Sequence, residues 1–396
     1  MPDPLRVLLD LPQPEKAERG LEHTPREIWQ QPGTWSQTYE RCREQQAGLN
    51  QLLRQAGIGR GPTASPTVYL VGAGSSDYIG RALAPLLRQR WDCDVWAVPS
   101  TTLLTDFDEF HFAGRDYLWI SFSRSGDSPE GVAVLQRALD HHHDIRHVVI
   151  TCNRDGQMAQ ICSRYDGTLA LILDDAVNDR GLATTSSFTN MLLAGQCLAH
   201  LGEYDEFGRA VERMTEAGSR FLPIAAEAAA AITTLGCTRA CFVGSGALRA
   251  IADESALKVV ELSAGGVTAV SESPLGLRHG PLSGVEGKTL LVAFLSSDGR
   301  RRGYELDLLR EIDRKRLGRV RAVVAAQGAD DVSSLADYCL SLDCGTDFPD
   351  LYRPVLDVML GQLIGLFASM RSGMKPDQPS PNGAIARVVS PITLYS

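Results

Sequence analysis

Nowhere in the 396 residues do two cysteines stand in a Cys-x-x-Cys pair, and the nine cysteines are an odd number. Cys237 and Cys241 lie four apart, with no further Cys or His pair to complete a metal set. The thiols therefore read as core residues in a reducing compartment. Apolar runs of about 20 residues, the length that crosses a bilayer, are also missing. The opening Met-Pro-Asp-Pro has no basic stretch followed by an apolar one, so no secretory leader is expected and the cytoplasm is the expected location. Positive charge is in short supply: 39 Lys and Arg against 48 Asp and Glu leave a net −9. Nucleic acids bind through basic patches, so neither a nucleic acid nor a membrane is an expected partner. An anionic small molecule would need a local cluster of donors instead.

Such a cluster is present at Ile120-Ser-Phe-Ser-Arg-Ser-Gly-Asp-Ser128. The apolar run from Tyr117 to Phe122 reads as a buried strand, and Pro129 suits the first turn of a helix. The first helical N–H groups then face a turn in which Ser123, Ser125 and Ser128 add hydroxyls beside Arg124 and Gly126. With the positive end of the helix dipole, this makes a site for a phosphate dianion. No Gly-Lys-Ser/Thr closes the turn, so it is not a Walker loop. An ordinary serine-rich helix cap would give the same local pattern.

The length fits two or three domains with real cores. Residues 1–45 are polar and Pro-rich and read as an extended arm, with one short helix from Thr24 to Gln31 stopped by Pro32. A second helix is expected from Tyr39 to Gly57, then a Gly/Pro linker to Pro66. Four strand-like runs follow, Thr67–Val71, Tyr117–Phe122, His147–Thr151 and Thr168–Leu173, separated by helical patterns. A long Ala-rich helix, Glu206–Leu235, leads to four more: Ala240–Val243, Leu290–Phe294, Ala322–Ala325 and Cys339–Leu342. Strands alternating with helices indicate parallel sheets covered on both faces. Counterparts lie about 170 residues apart, as Gly72 to Gly244 and Phe122 to Phe294 do, which suggests a tandem duplication. The expected division is 1–45 arm, 46–205 first α/β domain, 206–370 second, and 371–396 tail.

The two copies differ where chemistry would sit. Both keep Gly-x-Gly after the first strand, at Gly72-Ala-Gly74 and Gly244-Ser-Gly246. Only the first continues with Ser75-Ser76 and carries Ser-x-Ser-Gly-x-Ser. One phosphate site is therefore expected per chain, at the carboxyl ends of the first set of strands. In the second half, Glu254, Lys258 and Glu261 share one helix face, which also fits a solvated Glu–Lys pair. His279 precedes Gly280-Pro281, a sharp loop that would aim its ring; a plain surface histidine fits as well. His141-His-His143 and Arg300-Arg-Arg302 read as exposed, and Trp91, Trp96 and Trp119 as packing residues.

Taken in order, Gly-x-Gly-Ser-Ser, Ser-x-Ser-Gly-Asp-Ser, Glu-Ser-Ala-Leu-Lys-x-x-Glu and Arg-His-Gly-Pro resemble the sugar isomerase (SIS) domain pair, as in the isomerase half of glucosamine-6-phosphate synthase. Thr24-Pro-Arg-Glu-Ile-Trp-Gln-Gln-Pro32 resembles that family's opening segment, and the likeness spans nearly the whole chain. It implies two tandem SIS domains, each a flavodoxin-like three-layer sandwich. It implies that Gly74, Ser75, Ser76, Ser123, Arg124, Ser125, Gly126 and Ser128 hold a sugar phosphate, with Thr184 and Ser186 beside the sugar. It implies Glu261, on the helix that carries Lys258, as the base moving a proton between C1 and C2. It further implies His279 of a neighbouring subunit as the ring-opening acid, oriented by Glu254, and hence a homodimer or larger homo-oligomer with a shared site.

Departures from the synthase narrow the subtype. There is no glutaminase half and no Cys at position 2, so no internal ammonia source is expected. Arg387 stands where the synthase tail has a Schiff-base lysine, and arginine stays protonated and cannot form that imine. Ser186 stands where the synthase has another lysine. Asn178-Asp-Arg180, Thr185-Ser-Ser-Phe-Thr189 and Ala386-Arg-Val-Val389 are most similar to AgaS-type proteins of amino-sugar catabolism. The expectation is a galactosamine-6-phosphate deaminase/isomerase with Arg387 as a charged lid, without metal or other cofactor. A plain aldose–ketose isomerase, a fructosamine-phosphate deglycase and a non-catalytic phosphosugar sensor stay open beside it.

Overall fold

The computed structural model describes residues 3–61 and 65–395; residues 62–64 of the expected Gly/Pro linker lie outside them. Two five-stranded parallel sheets carry the fold. The first comprises β1 (Thr67–Gly72), β2 (Val95–Pro99), β3 (Tyr117–Ser123), β4 (Ile145–Thr151) and β5 (Thr168–Ile172), in the order β2-β1-β3-β4-β5. The second comprises β6 (Arg239–Gly244), β7 (Thr268–Glu272), β8 (Thr289–Phe294), β9 (Val320–Ala325) and β10 (Tyr338–Ser341), in the order β7-β6-β8-β9-β10. Strand for strand, the two orders are the same.

The chain divides into two compact units. One contains Thr34–Asp179, Ser186–Val211 and the residues from Ile385 onward, around the first sheet. The other contains the residues through Gly33, Arg180–Thr185 and Glu212–Ala384, around the second sheet.

In the first unit, alternate residues of each strand serve opposite layers. Tyr69, Val71, Tyr117 and Trp119 pack with Leu103, Phe107, Val134 and Ala138 from the helices Ser100–Phe110 and Pro129–His141. On the other face Leu70 meets Gly80 of the helix Ser75–Trp91, where a Cβ would come within 2.9 Å of the Leu70 side chain. Gly72 is required for a similar reason: a Cβ there would lie 2.5 Å from the Ser76 backbone. In the second unit, Gly361 and Gly365 let the helix Pro354–Arg371 close onto the helix Ala247–Leu262. A Cβ at Gly361 would sit 2.2 Å from Ser255 Oγ, and one at Gly365 2.9 Å from the Lys258 carbonyl. By length and composition Pro354–Arg371 could cross a membrane, but it is buried almost throughout as a core helix.

The structure corrects several expectations. The extended arm is helical at Pro4–Leu9 and Gln13–Arg19, because its prolines sit in first turns, where a missing N–H costs nothing. Pro32 starts a helix, Gln31–Glu44, instead of stopping one, and the helix expected over Tyr39–Gly57 is broken at Gln45. Strands β2 (Val-Trp-Ala-Val-Pro) and β7 (Thr-Ala-Val-Ser-Glu) are not among the expected ones: both are short, half-exposed sheet edges. Trp96 on β2 is 56% exposed rather than packed. Arg300, Arg301 and Arg302 belong to the helix Gly299–Arg314, and Arg302 is paired with Asp331 at 2.6 Å. His142 turns inward while His141 and His143 stay exposed.

Asp377 ties the chain's opening into the second unit. Its carboxylate accepts the N–H groups of Glu22, His23 and Thr24 at 2.7, 3.1 and 2.7 Å, and the Thr24 hydroxyl at 2.7 Å. Removing it in Asp377→Ala orphans these donors. We expect a loss of about 2–3 kcal/mol, read as a lower midpoint of urea unfolding; an unchanged midpoint would contradict this role.

Candidate active site

In the first unit, β1 and β3 are neighbours, so the two serine-bearing turns leave adjacent carboxyl ends of the sheet. Gly74, at φ +56°, lets the first turn swing into the helix Ser75–Trp91; Ser75 is buried and Ser76 half-buried at its start. The second turn is built from its own hydroxyls. Ser123 Oγ accepts the Gly126 N–H at 3.0 Å, and Ser125 Oγ accepts the Asp127 N–H at 3.2 Å. A hydroxyl that accepts still has its proton to give, so both serines remain donors. Ser128 precedes the helix Pro129–His141, and its hydroxyl takes no part in capping it.

The turn is fixed from β4. Asn153 Nδ2 donates to the Ser125 carbonyl at 2.8 Å, and the Cys152 N–H to the Arg124 carbonyl at 3.2 Å. The Arg124 guanidinium is buried and donates to the Arg387 carbonyl. Arg387 in turn donates to the Asp179 carbonyl and to Asn178 Oδ1, both at 2.7 Å. Asp179 accepts the hydroxyls of fully buried Ser186 and Ser187 and the Ser187 N–H at 2.8 Å, so the Asp179 carboxylate caps the start of the helix Ser186–Ala199.

In the second unit, Lys258 is 1% exposed on the helix Ala247–Leu262. Its Nζ lies 2.6 Å from Glu261 Oε2, 3.5 Å from Glu254 Oε1 and 3.3 Å from Thr184 Oγ1. Glu254 is wholly buried, whereas the Glu261 side chain is 19% exposed. The solvated-pair alternative is thereby excluded: this is a buried charge cluster with one carboxylate reaching water. The Thr184 loop is clamped on several sides. Glu27 accepts the N–H groups of Arg180 and Gly181, the Asp377 carbonyl accepts that of Leu182, and Gln362 Nε2 donates to the Thr185 carbonyl at 3.3 Å.

His279 makes no hydrogen bond or ion pair with this cluster within one chain. It is exposed, its N–H meets the Gly276 carbonyl at 2.9 Å, and Gly280 follows at φ +129°. Its ring makes no hydrogen bond to any described residue, so a single chain does not bond it to Glu254.

The second unit's counterpart of the serine turn is already filled. At Leu295-Ser296-Ser297-Asp298, the Asp350 carboxylate accepts the Ser296 hydroxyl, the Ser297 N–H at 3.0 Å and Arg353 Nη1 at 2.9 Å. Burial raises the Asp350 carboxyl's pKa, but Arg353 and the serine donors outweigh it and hold it below the ordinary value. The chain's own carboxylate thus occupies the place an anion would take. Asp350, Arg353 and Asn153 belong to no sequence motif, and Asp179 and Glu27 lie in segments that carry the family likeness without a role read for them; their partners in space reveal what all five do.

No family model matches the chain. A D-galactosamine-6-phosphate deaminase AgaS from Escherichia coli is 34% identical over 387 residues, covering 94% of this chain and 95% of the relative. The crystal structure of a tagatose-6-phosphate ketose/aldose isomerase from Escherichia coli superposes with a TM-score of 0.82 at 32% identity, covering 90% of this chain and 95% of the other. The C-terminal domain of glucosamine-fructose-6-phosphate aminotransferase from Francisella tularensis shares the fold, with a TM-score of 0.74 at 18% identity over 90% of this chain and 98% of the other.

Asp350→Ala leaves fully buried Arg353 with Asp357 as its remaining carboxylate and uncovers the Ser297 N–H. Breaking a buried pair on one side costs about 3–5 kcal/mol. Chemical denaturation should show that loss; a change indistinguishable from zero would refute the internal-anion description.

Proposed function

The chain belongs to the AgaS family of D-galactosamine-6-phosphate deaminases, and from there we propose that it converts galactosamine 6-phosphate and water to tagatose 6-phosphate and ammonia. The observation that carries the reading is Glu261. It is the one carboxylate of a buried Glu–Lys–Glu set that reaches solvent, and it rests against a fixed ammonium.

The phosphate is bound by the hydroxyls of Ser76, Ser123, Ser125 and Ser128 and by N–H groups at the two helix starts. What supports this is the bonding of Ser123 and Ser125, which accept from the backbone and so keep their protons for an anion. Thr184 and Ser186 border the sugar; the clamped Thr184 loop favours the first, while Ser186 acts through Asp179. Glu261 takes the proton from C2 of the open-chain sugar and returns one to C1. Loss of the C2 proton gives the enaminol, its protonation at C1 gives the ketimine, and water hydrolyses that to the ketone with loss of ammonia. Lys258 compensates the Glu261 charge and aims its carboxylate.

Ring opening is assigned to His279 of a second copy, oriented by that site's Glu254; the exposed, unbonded ring and the sharp Gly280-Pro281 turn favour this. The working form is then a homodimer or larger homo-oligomer. Arg387 holds the tail against Arg124, a positioning role better supported than a free lid, since its guanidinium is already engaged. Nine free thiols fit a cytoplasmic enzyme. The isomerase name of the Escherichia coli structural relative keeps one alternative in play: aldose–ketose isomerisation without deamination.

Product analysis separates the two. Incubation with galactosamine 6-phosphate should release ammonia in step with ketose; release from neither the galacto nor the gluco epimer would end the deaminase reading. Glu261→Gln should lower kcat by at least about 10²-fold while KM changes little. The double variant S123A/S125A should instead raise KM, since it removes donors from the phosphate. Full activity in Glu261→Gln, or an unchanged KM in the serine variant, would count against the assigned roles.

A further inference from the structure

At the amino end of the first sheet, away from both serine turns, two imidazoles and a carboxylate converge. His111 closes the helix Ser100–Phe110, with its N–H on the Phe107 carbonyl at 3.2 Å. His142 closes the helix Pro129–His141, with its N–H on the Ala138 carbonyl at 2.9 Å. Asp144 directly precedes β4, and its carbonyl accepts the N–H of Tyr117, the first residue of β3, at 3.1 Å. Three separate elements thus deliver the three side chains, each from an anchored backbone.

The side chains are ordered as well. His111 Nε2 lies 2.8 Å from Asp144 Oδ2, and the His111 and His142 ring centroids are 4.2 Å apart. One donor atom from each of the three lies within 4.8 Å of the others, and all three residues are half-buried. The His142 ring stacks on Phe107 at 4.8 Å, and Tyr117 borders His111 at 5.3 Å. The charged neighbours are exposed His141 and Arg137, and the Arg137 guanidinium pairs with Asp108 at 3.2 Å.

We propose that His111, His142 and Asp144 form a divalent-cation site that takes Zn²⁺, with water as the fourth ligand. Two imidazoles and one carboxylate are the donors this ion prefers, and bonds of about 2.0–2.2 Å place tetrahedral ligands about 3.3–3.5 Å apart. To reach that spacing His111 Nε2 and Asp144 Oδ2, now 2.8 Å apart, open by a few tenths of an ångström while the other donor atoms, within 4.8 Å of one another, close in, and the ion replaces the proton between His111 and Asp144. The site is not part of the sugar chemistry. β3 runs from Tyr117 to Ser123, six rises of about 3.3 Å, so about 20 Å separates the trio from the serine turn. The ion pins the ends of two helices to the start of β4.

The test is a zinc titration of the chelator-stripped, full-length protein against a chromophoric chelator. One zinc per chain is expected. His142→Ala and Asp144→Asn should each weaken binding by at least about tenfold, since even loss of a group that only orients a ligand costs that much. Ammonia release in these variants should stay unchanged. The paired control H141A/H143A should bind as the wild type does. A zinc-edge anomalous peak between His111, His142 and Asp144 in zinc-soaked crystals would be the direct confirmation. Absence of tight zinc, binding that survives Asp144→Asn, or binding lost in H141A/H143A would each overturn the proposal. Turnover lost in Asp144→Asn would overturn its separation from the sugar chemistry.

Discussion

An ammonium group sealed from water has to be neutralised where it stands, and Lys258 is such a group. Dehydrating a charge costs several kcal/mol unless partners compensate it at close range. Glu254 and Glu261, one helical turn to either side, are those partners, and Thr184 adds an acceptor from a separate loop. The helix cannot rotate without breaking the set, because Gly361 and Gly365 bring a second helix against it too closely for any larger residue. The Glu261 carboxylate is therefore held in one place and one orientation before any substrate arrives. That is the preorganisation a base needs when it must serve two adjacent carbons in turn.

The two sheets show one turn solved in two ways. After β3, hydroxyls accept backbone N–H groups and so have their own protons left to donate. After β8, Asp350 enters the equivalent turn and takes the serine hydroxyl, the amide and an arginine for itself. A carboxylate built into the chain makes a stable core and a closed site, whereas serines without one leave donors that an anion can use. The proposal of one phosphate turn per chain rests on this difference.

What the sequence made legible follows from the range of each signal. Central strands are long apolar runs, and β1, β3, β4, β6, β8 and β9 stood out for that reason. The edges β5 and β10 are legible too, whereas the short, half-exposed edges β2 and β7 are not. Pro32 reads as a helix stop and the Pro-rich opening as an extended arm, because a first-turn proline and a helix-ending proline look alike without the flanking structure. Glu254, Lys258 and Glu261 were identifiable from spacing and family likeness, but their burial was not: an i,i+4 Glu–Lys pair has the same spacing in a core as on a surface. Asn153, Asp350 and Asp377 act across longer stretches of chain, and no local pattern marks them.

Proton traffic at C2 is the step on which the proposed chemistry turns. Proton NMR of the reaction in D₂O reads it directly, by loss of the C2 hydrogen signal from galactosamine 6-phosphate and entry of deuterium at C1 of the ketose. With Glu261 as the base, the wild type exchanges C2 and labels C1, and Glu261→Gln does neither. Exchange at C2 that continues undiminished in Glu261→Gln would contradict the assignment.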